Sequence, residues 1–156
     1  MKKPWLFLFA LLCLGGLVGF TAAADKDKEE AIKQERTRYK GTWRVILLQV
    51  DGELADEKEA KKIIVVNAPD GRWTVVADGE KIGTGTSQID PTKKPKTIDF
   101  TPTEGVEKGK VLLGIYEIKE NCRKLCYAEA GKDRPTEFSS KPGSGHVLVI
   151  FQREKE

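Results

Sequence analysis

The sequence predicts an all-β domain in which eight strands form an antiparallel meander. From Tyr39 onward, short runs rich in β-branched and aromatic residues alternate with turn signals. The connections are mostly short, and the absence of strand–helix–strand alternation argues against a parallel α/β sheet. A meander of eight strands can close into a barrel and so remove its edges. A two-sheet sandwich is the alternative, because periodicity alone does not separate the two.

The eight predicted strands follow one another along the chain. They are Thr42–Val50, Ile63–Asn67, Arg72–Ala77, Lys81–Ile89, Lys96–Thr101, Val111–Lys119, Arg123–Glu129 and His146–Gln152. Asp51-Gly52 marks a tight turn after the first strand, because both residue types tolerate a positive φ. Asp56 and Glu59 can form a capping box, which predicts a short helix within Glu53–Lys62 after the first strand.

The first 24 residues are typical of a signal peptide. Lys2-Lys3 gives a positive start, Trp5–Phe20 is an uncharged apolar run, and Ala22–Ala24 fits the small-x-small cleavage rule. The run is short for a membrane-spanning helix, which needs about 20 apolar residues. We therefore expect cleavage after Ala24, export to the periplasm or the extracellular space, and no stable membrane span afterwards. An uncleaved N-terminal anchor is the alternative.

The residues after the predicted cleavage site are strongly charged. Asp25–Arg38 lacks a hydrophobic stripe and is interpreted as a linker or a frayed helix, followed by the domain over residues 39–156. The whole chain has a formal net charge of +3. Loss of the two lysines in the predicted signal peptide lowers this charge to +1. A near-neutral chain with interspersed acids and bases argues against nucleic-acid binding.

Several stretches of the chain resemble a known family. Gly41-Thr42-Trp43, at the start of the first strand, resembles the Gly-x-Trp motif of lipocalins. The chain as a whole resembles the planctomycete-type lipocalin-like secreted domain of bacteria, a family of unassigned function, from about Tyr39 to Glu154. The further matching stretches are Asp51-Gly52, Asp90–Asp99, Gly114–Tyr116, Leu125–Ala128, Arg134–Phe138 and Arg153. The resemblance implies a lipocalin-like β-barrel on an exported protein, and it implies no activity.

The resemblance also gives Gly41, Trp43 and Arg153 a structural role. Lipocalins close the base of the barrel by stacking a late arginine on the early tryptophan. Arg153 shares strand parity with Val149 and Phe151, so it is expected on their face of the sheet. A guanidinium over an indole ring is a favourable cation–π contact. We interpret these residues as structural and not catalytic.

Two cysteines, Cys122 and Cys126, follow the predicted cleavage site. Export to an oxidising space would permit a disulfide. On one extended strand, however, the two Cα atoms would lie about 13 Å apart, whereas a disulfide requires about 7 Å or less. The bridge therefore forms only if Cys122 lies in a turn that folds back. Otherwise Cys126 is a buried apolar residue and Cys122 a half-exposed thiol.

The residues that catalysis or metal binding would need are few. His146 is the one histidine in the chain, so a zinc site with two or three histidines is excluded within one chain. Cys122, Cys126 and His146 match no common zinc spacing. No Gly-x-Ser-x-Gly elbow is present, and Ser144 is interpreted as part of a turn. We expect neither enzymatic activity nor a cofactor nor a metal.

The interior of the barrel is the predicted place for a ligand. An eight-stranded barrel is just wide enough to hold one small ligand or to be filled by its own side chains. Glycines at 83, 85 and 114 could leave room for a cavity. Strand alternation predicts that ten side chains point inward, namely Val45, Leu47, Trp73, Val75, Ile98, Phe100, Tyr116, Ile118, Val149 and Phe151.

The loop Arg134–Phe138 is a second candidate, because it combines a cation, a proline and an aromatic ring on a rigid scaffold. In the alternative interpretation, Phe138 plugs one end of the barrel and Arg134 forms a structural ion pair. We expect non-catalytic binding of a small apolar or amphipathic ligand. A cell-envelope interaction or structural module with a filled core and an unidentified protein partner is the alternative. The candidate ligand contacts are Trp73, Phe100, Tyr116, Arg134 and Phe138.

Overall fold

The computed structural model describes residues 18–155. Most of the predicted signal peptide, residues 1–24, lies outside the described residues, so its cleavage stays a prediction. In chain order the elements are α1 (Val18–Tyr39), β1 (Gly41–Val50), β2 (Glu53–Leu54), α2 (Glu57–Ala60), β3 (Ile63–Asn67), β4 (Arg72–Ala77), β5 (Glu80–Asp90), β6 (Lys96–Pro102), β7 (Leu112–Lys119), β8 (Cys122–Ala128) and β9 (His146–Arg153).

The strands pair in sequence order, and the last strand closes on the first. β1 pairs with β3, and each strand from β3 to β9 pairs antiparallel with the next. The antiparallel pairing of β1 with β9 then closes the sheet into a barrel. The two-residue β2 pairs with the end of β1. The predicted eight-stranded meander is confirmed as a closed barrel, which excludes the two-sheet sandwich.

The short helix predicted after the first strand is α2. Asp56 caps it, because its Oδ1 atom accepts hydrogen bonds from the backbone N–H groups of Lys58 at 2.9 Å and Glu59 at 3.2 Å. The Oε2 atom of Glu59 accepts a hydrogen bond from the Nζ atom of Lys62 at 2.9 Å. Ala60 at the end of the helix is buried, so α2 packs against the barrel.

A bulge in β1 changes which side chains face inward. The pairing with β9 shifts between Val45, which lies opposite Phe151, and Leu47. Leu48 therefore lies on the inner face after the bulge, where it packs against the buried core. The prediction that Leu47 points inward is wrong, because strict alternation does not hold across the extra residue.

Residues 25–38, interpreted as a linker or a frayed helix, form most of α1. The helix lies against one end of the barrel, here called the base, which also carries the β3–β4, β5–β6 and β7–β8 turns. Arg36 donates a hydrogen bond to the Oγ atom of Ser87 at 3.0 Å, and the buried Glu35 accepts one from Lys96 at 2.7 Å. Tyr39, at the end of the helix, is buried in the core. None of the helices in residues 18–155 has both the length and the apolar character needed to cross a membrane.

An ion pair between α1 and β5 makes the stability depend on pH. Burial alone would raise the pKa of Asp90, but hydrogen bonds from Lys28 and Thr92 lower this pKa to about 2. The folded-state pKa lies below the unfolded value, so the contribution is present at neutral pH and is lost as the pH falls toward about 2.

We expect Asp90→Asn to lower the free energy of unfolding at pH 7 by about 1 kcal/mol, because Lys28 is half exposed and solvent screens the pair. Urea unfolding of the wild-type chain and the variant from neutral to acidic pH measures this difference. The two curves should converge at the acidic end. A difference that stays constant across the range would contradict the assignment.

Candidate functional site

A cavity of about 250 Å³ lies inside the barrel. Inward side chains from β1, β3, β4, β8 and β9 form most of its wall, and they are predominantly aliphatic and aromatic. They include Val45, Val65, Val75, Leu125, Val149 and Phe151. The predicted barrel interior is therefore not filled completely by its own side chains.

The two ends of the cavity differ in chemistry. At the base it is lined by Tyr39 from α1, Asn67 from the end of β3 and Arg123 from the start of β8. At the opposite end it is lined by Leu112 and by Ile82, a residue that is 61% exposed. The cavity is thus polar where α1 closes the barrel and apolar where it meets solvent.

Arg123 is the charged residue at the base of the cavity. It is only 1% exposed, and its Cζ atom lies 4.1 Å from the ring centre of Phe151, 4.6 Å from Tyr39 and 4.7 Å from Trp43. Its Nε and Nη1 atoms have no hydrogen-bond partner among the described residues. Burial lowers the pKa of Arg123, but an arginine side chain keeps its charge at neutral pH.

Trp43 and Arg153 close the base below Arg123. The guanidinium of Arg153 lies 4.0 Å from the ring centre of Trp43, in the contact that the lipocalin resemblance implies. Trp43 donates its Nε1–H to the carbonyl oxygen of Tyr39 at 3.0 Å, which ties the end of α1 to the barrel. Gly41 has a φ of +112°, and a Cβ atom there would lie 2.9 Å from Arg153 Nη1. Glycine therefore provides both the backbone conformation and the space for the arginine.

Two of the predicted ligand contacts, Trp73 and Phe100, line the cavity. Their rings meet edge to face with centroids 6.4 Å apart, and Phe100 meets Tyr127 at 5.8 Å. The indole of Trp73 occupies the space beside Gly85, where a Cβ atom would collide with the ring. The glycine in β5 thus makes room for Trp73, and the expectation that it leaves cavity space is wrong.

Tyr116, a third predicted contact, lies in the core beneath α1 and not on the cavity wall. Its ring meets Tyr39 edge to face at 5.3 Å. Burial and the nearby carboxylate of Glu35 raise the pKa of Tyr116, so its hydroxyl stays neutral. This position supports a role in packing the helix onto the barrel.

The remaining predicted contacts, Arg134 and Phe138, lie on the outer face of the barrel. Arg134 donates from Nη1 to the carbonyl oxygens of Gly114 at 2.7 Å and Ile98 at 3.1 Å. Its Nη2 atom forms an ion pair with Asp99 at 2.7 Å, which is the structural role named as the alternative.

Phe138 lies under the Nζ atom of Lys124 at 5.3 Å, on the outer side of β8, and it does not plug a barrel end. Both side chains therefore hold the β8–β9 loop against the sheet. Neither side chain lines the cavity, so the structure does not bring them together with Trp73 and Phe100.

Cys122 and Cys126 are free thiols in one extended strand, β8, so the structure contains no bridge between them. Cys126 is buried, and its Sγ–H group donates to the carbonyl oxygen of Ser139 at 3.4 Å. Burial raises the pKa of the Cys126 thiol and keeps it protonated. Within the described part of the chain, no three His, Cys, Asp or Glu side chains are grouped to hold a metal ion.

Sequence reasoning missed Arg123 and Asn67 as lining residues. The available signal for Arg123 was alternation, since Leu125 and Tyr127 on the same strand also line the cavity. Because a basic residue at the start of a strand is normally exposed, alternation alone did not lead to an inward position for Arg123.

Comparisons with protein-family models, curated proteins and solved structures give no significant match to this chain.

Proposed function

We propose that the chain is an exported, non-catalytic binding protein of the lipocalin-like type, which holds a small apolar or amphipathic ligand in its barrel. The observation that carries the proposal is the apolar cavity inside a closed eight-stranded barrel. The signal-like N-terminal sequence supports export, and the stacking of Arg153 on Trp43 supports the lipocalin-like type. Neither the N-terminal sequence nor the stacking of Arg153 on Trp43 depends on the cavity.

The volume of the cavity limits the size of the ligand. About 250 Å³ corresponds to roughly eight water molecules at about 30 Å³ each, and so to a ligand of about eight heavy atoms. A longer chain could extend past Ile82 into solvent, because the cavity is open at that end. Medium-chain apolar or amphipathic molecules fit these dimensions.

The chemistry of the wall supports binding over catalysis. The described lining residues include no carboxylate, thiol or imidazole that could transfer a proton near neutral pH. Burial raises the pKa values of the phenols of Tyr39 and Tyr127, which keeps both neutral. The polar groups of the wall are thus suited to orienting a ligand.

Native mass spectrometry tests the proposal on protein purified after expression of the full-length chain in an exporting host. We expect an additional mass that leaves on denaturation, or a bound molecule after 1-octanol is added. A bare mass under both conditions would contradict ligand binding and favour the cell-envelope interaction module. The denatured mass also reports whether the chain begins at Asp25, as cleavage after Ala24 requires.

A further inference from the structure

Arg123 is a buried cation without a counter-ion among the described residues. Arginine is rarely buried unless it is paired, because transfer of a charge out of water is costly. The buried carboxylate of Glu35 is already paired with Lys96 at 2.7 Å and Arg38 at 3.2 Å. The cavity at the base therefore carries an uncompensated positive charge.

The aromatic rings around Arg123 compensate this charge only in part. Phe151, Tyr39 and Trp43 attract the guanidinium through their ring faces. Ring faces do not replace the acceptors that the N–H groups require, and the hydrogens on Nε and Nη1 find no acceptor within residues 18–155. The site thus stabilises a cation and leaves its donors available.

A second unused donor lines the same cavity. Asn67 is 7% exposed, and its Nδ2 atom has no hydrogen-bond partner among the described residues. Arg153, a further cation at the base, stacks on the same Trp43 ring and adds positive potential at Arg123. Donors and positive charge therefore coincide at the closed end, and the carboxylates of the described residues do not reach the cavity wall.

We propose that Arg123, assisted by Asn67, binds the carboxylate of a medium-chain amphipathic acid. The carboxylate lies at the base, where the guanidinium forms charge-assisted hydrogen bonds with it. The apolar tail runs along the aliphatic wall toward Ile82 and Leu112. This inference rests on the proposed function, because it names the class of ligand that the same cavity holds.

The test compares two ligands of equal chain length that differ in charge. Octanoate and 1-octanol, both close to the size of the cavity, are titrated calorimetrically into protein purified after expression of the full-length chain. We expect octanoate to bind about 10- to 100-fold more tightly than 1-octanol, the range for hydrogen bonds to a charged group. Equal affinities would overturn the inference and leave the proposed function intact, whereas no binding of either ligand would overturn both.

Variants of the protein test whether Arg123 causes the preference for octanoate over 1-octanol. Arg123→Met should lower the affinity for octanoate by a larger factor than the affinity for 1-octanol, so that the preference for octanoate disappears. Lys124→Met, the neighbouring cation on the outer face of β8, is the matched control and should change neither affinity. Asn67→Ala should weaken octanoate binding by a smaller factor. A preference that survives Arg123→Met would overturn the inference.

An independent measurement uses the wild-type chain alone and so does not depend on how the variants fold. The carbon signal of carboxyl-labelled octanoate is followed against pH while the ligand is bound. A guanidinium partner favours the ionised form, so the bound acid should titrate at a lower pH than the free acid. Titration at the free value or above it would overturn the inference.

Discussion

Replacement of Trp43 by alanine is expected to lower the free energy of unfolding by about 3–5 kcal/mol, the range for a buried tryptophan. Trp43 is fully buried, donates a hydrogen bond to Tyr39, and lies between two guanidinium groups at 4.0 and 4.7 Å. Its removal leaves a void at the base and removes a ring face from Arg123. Urea unfolding followed by circular dichroism measures the loss.

Trp43→Phe is the control for this prediction. Phenylalanine keeps a ring at the base but removes the indole donor to the Tyr39 carbonyl. The loss should be smaller, about 1–2 kcal/mol, since one hydrogen bond and part of the packing disappear. If Trp43→Ala and Trp43→Phe destabilised the chain equally, and by less than about 1 kcal/mol, the base of the barrel would not depend on the stacked pair.

Replacement of Val75 by tryptophan is expected to reduce the affinity for 1-octanol by at least about 10-fold, which corresponds to about 1.4 kcal/mol. Val75 points into the cavity from β4, opposite Val65 on β3, and both residues line the wall. An indole at this position occupies volume that the ligand needs. Calorimetric titration of 1-octanol measures the loss.

The matched control is Val76→Trp, one residue further along the same strand. Val76 lies opposite Ile64 and does not line the cavity. The indole that replaces its side chain in the variant therefore lies on the outer face. The variant should bind 1-octanol like the wild-type chain. Equal losses in both variants would place the binding outside the barrel, and unchanged binding in both would show that the cavity is not the site.

The strand pattern of the fold could be predicted because its signals are local. Asp51 and Gly52 adopt the positive φ values, 47° and 89°, that an Asp-Gly turn predicts. Closure by β1 and β9 joins residues about a hundred positions apart. Local periodicity therefore does not distinguish a closed barrel from a two-sheet sandwich. The bulge that moves Leu48 inward also depends on this distant pairing.

The packing of α1 could not be predicted from hydrophobic periodicity. The side of the helix that contacts the barrel carries Glu35 and Arg36 as well as Ile32 and Tyr39. Polar residues on this side form hydrogen bonds to β5 and β6. Because they interrupt the run of apolar residues, the helix lacks the apolar stripe of an amphipathic helix. The sequence therefore left the segment open between a linker and a helix.

The candidate site was predicted in part. Trp73 and Phe100 follow the alternation of regular strands, so their inward positions could be inferred. Arg134 does not reach the cavity because its loop folds back onto the outer face, where backbone carbonyls of two other strands accept its hydrogen bonds. Arg123 was missed because only the closed barrel surrounds it with Tyr39, Trp43 and Phe151.

In the proposed function the inside of the barrel, and not its surface, holds the ligand. Intermolecular NOEs between 1-octanol and the methyl groups of the protein distinguish these two locations. We expect contacts to the inward methyls of Val75, Leu125 and Val149, and none to the outward Val76. NOEs confined to Val76 and other outward methyls, or no NOEs at saturating ligand, would contradict the account.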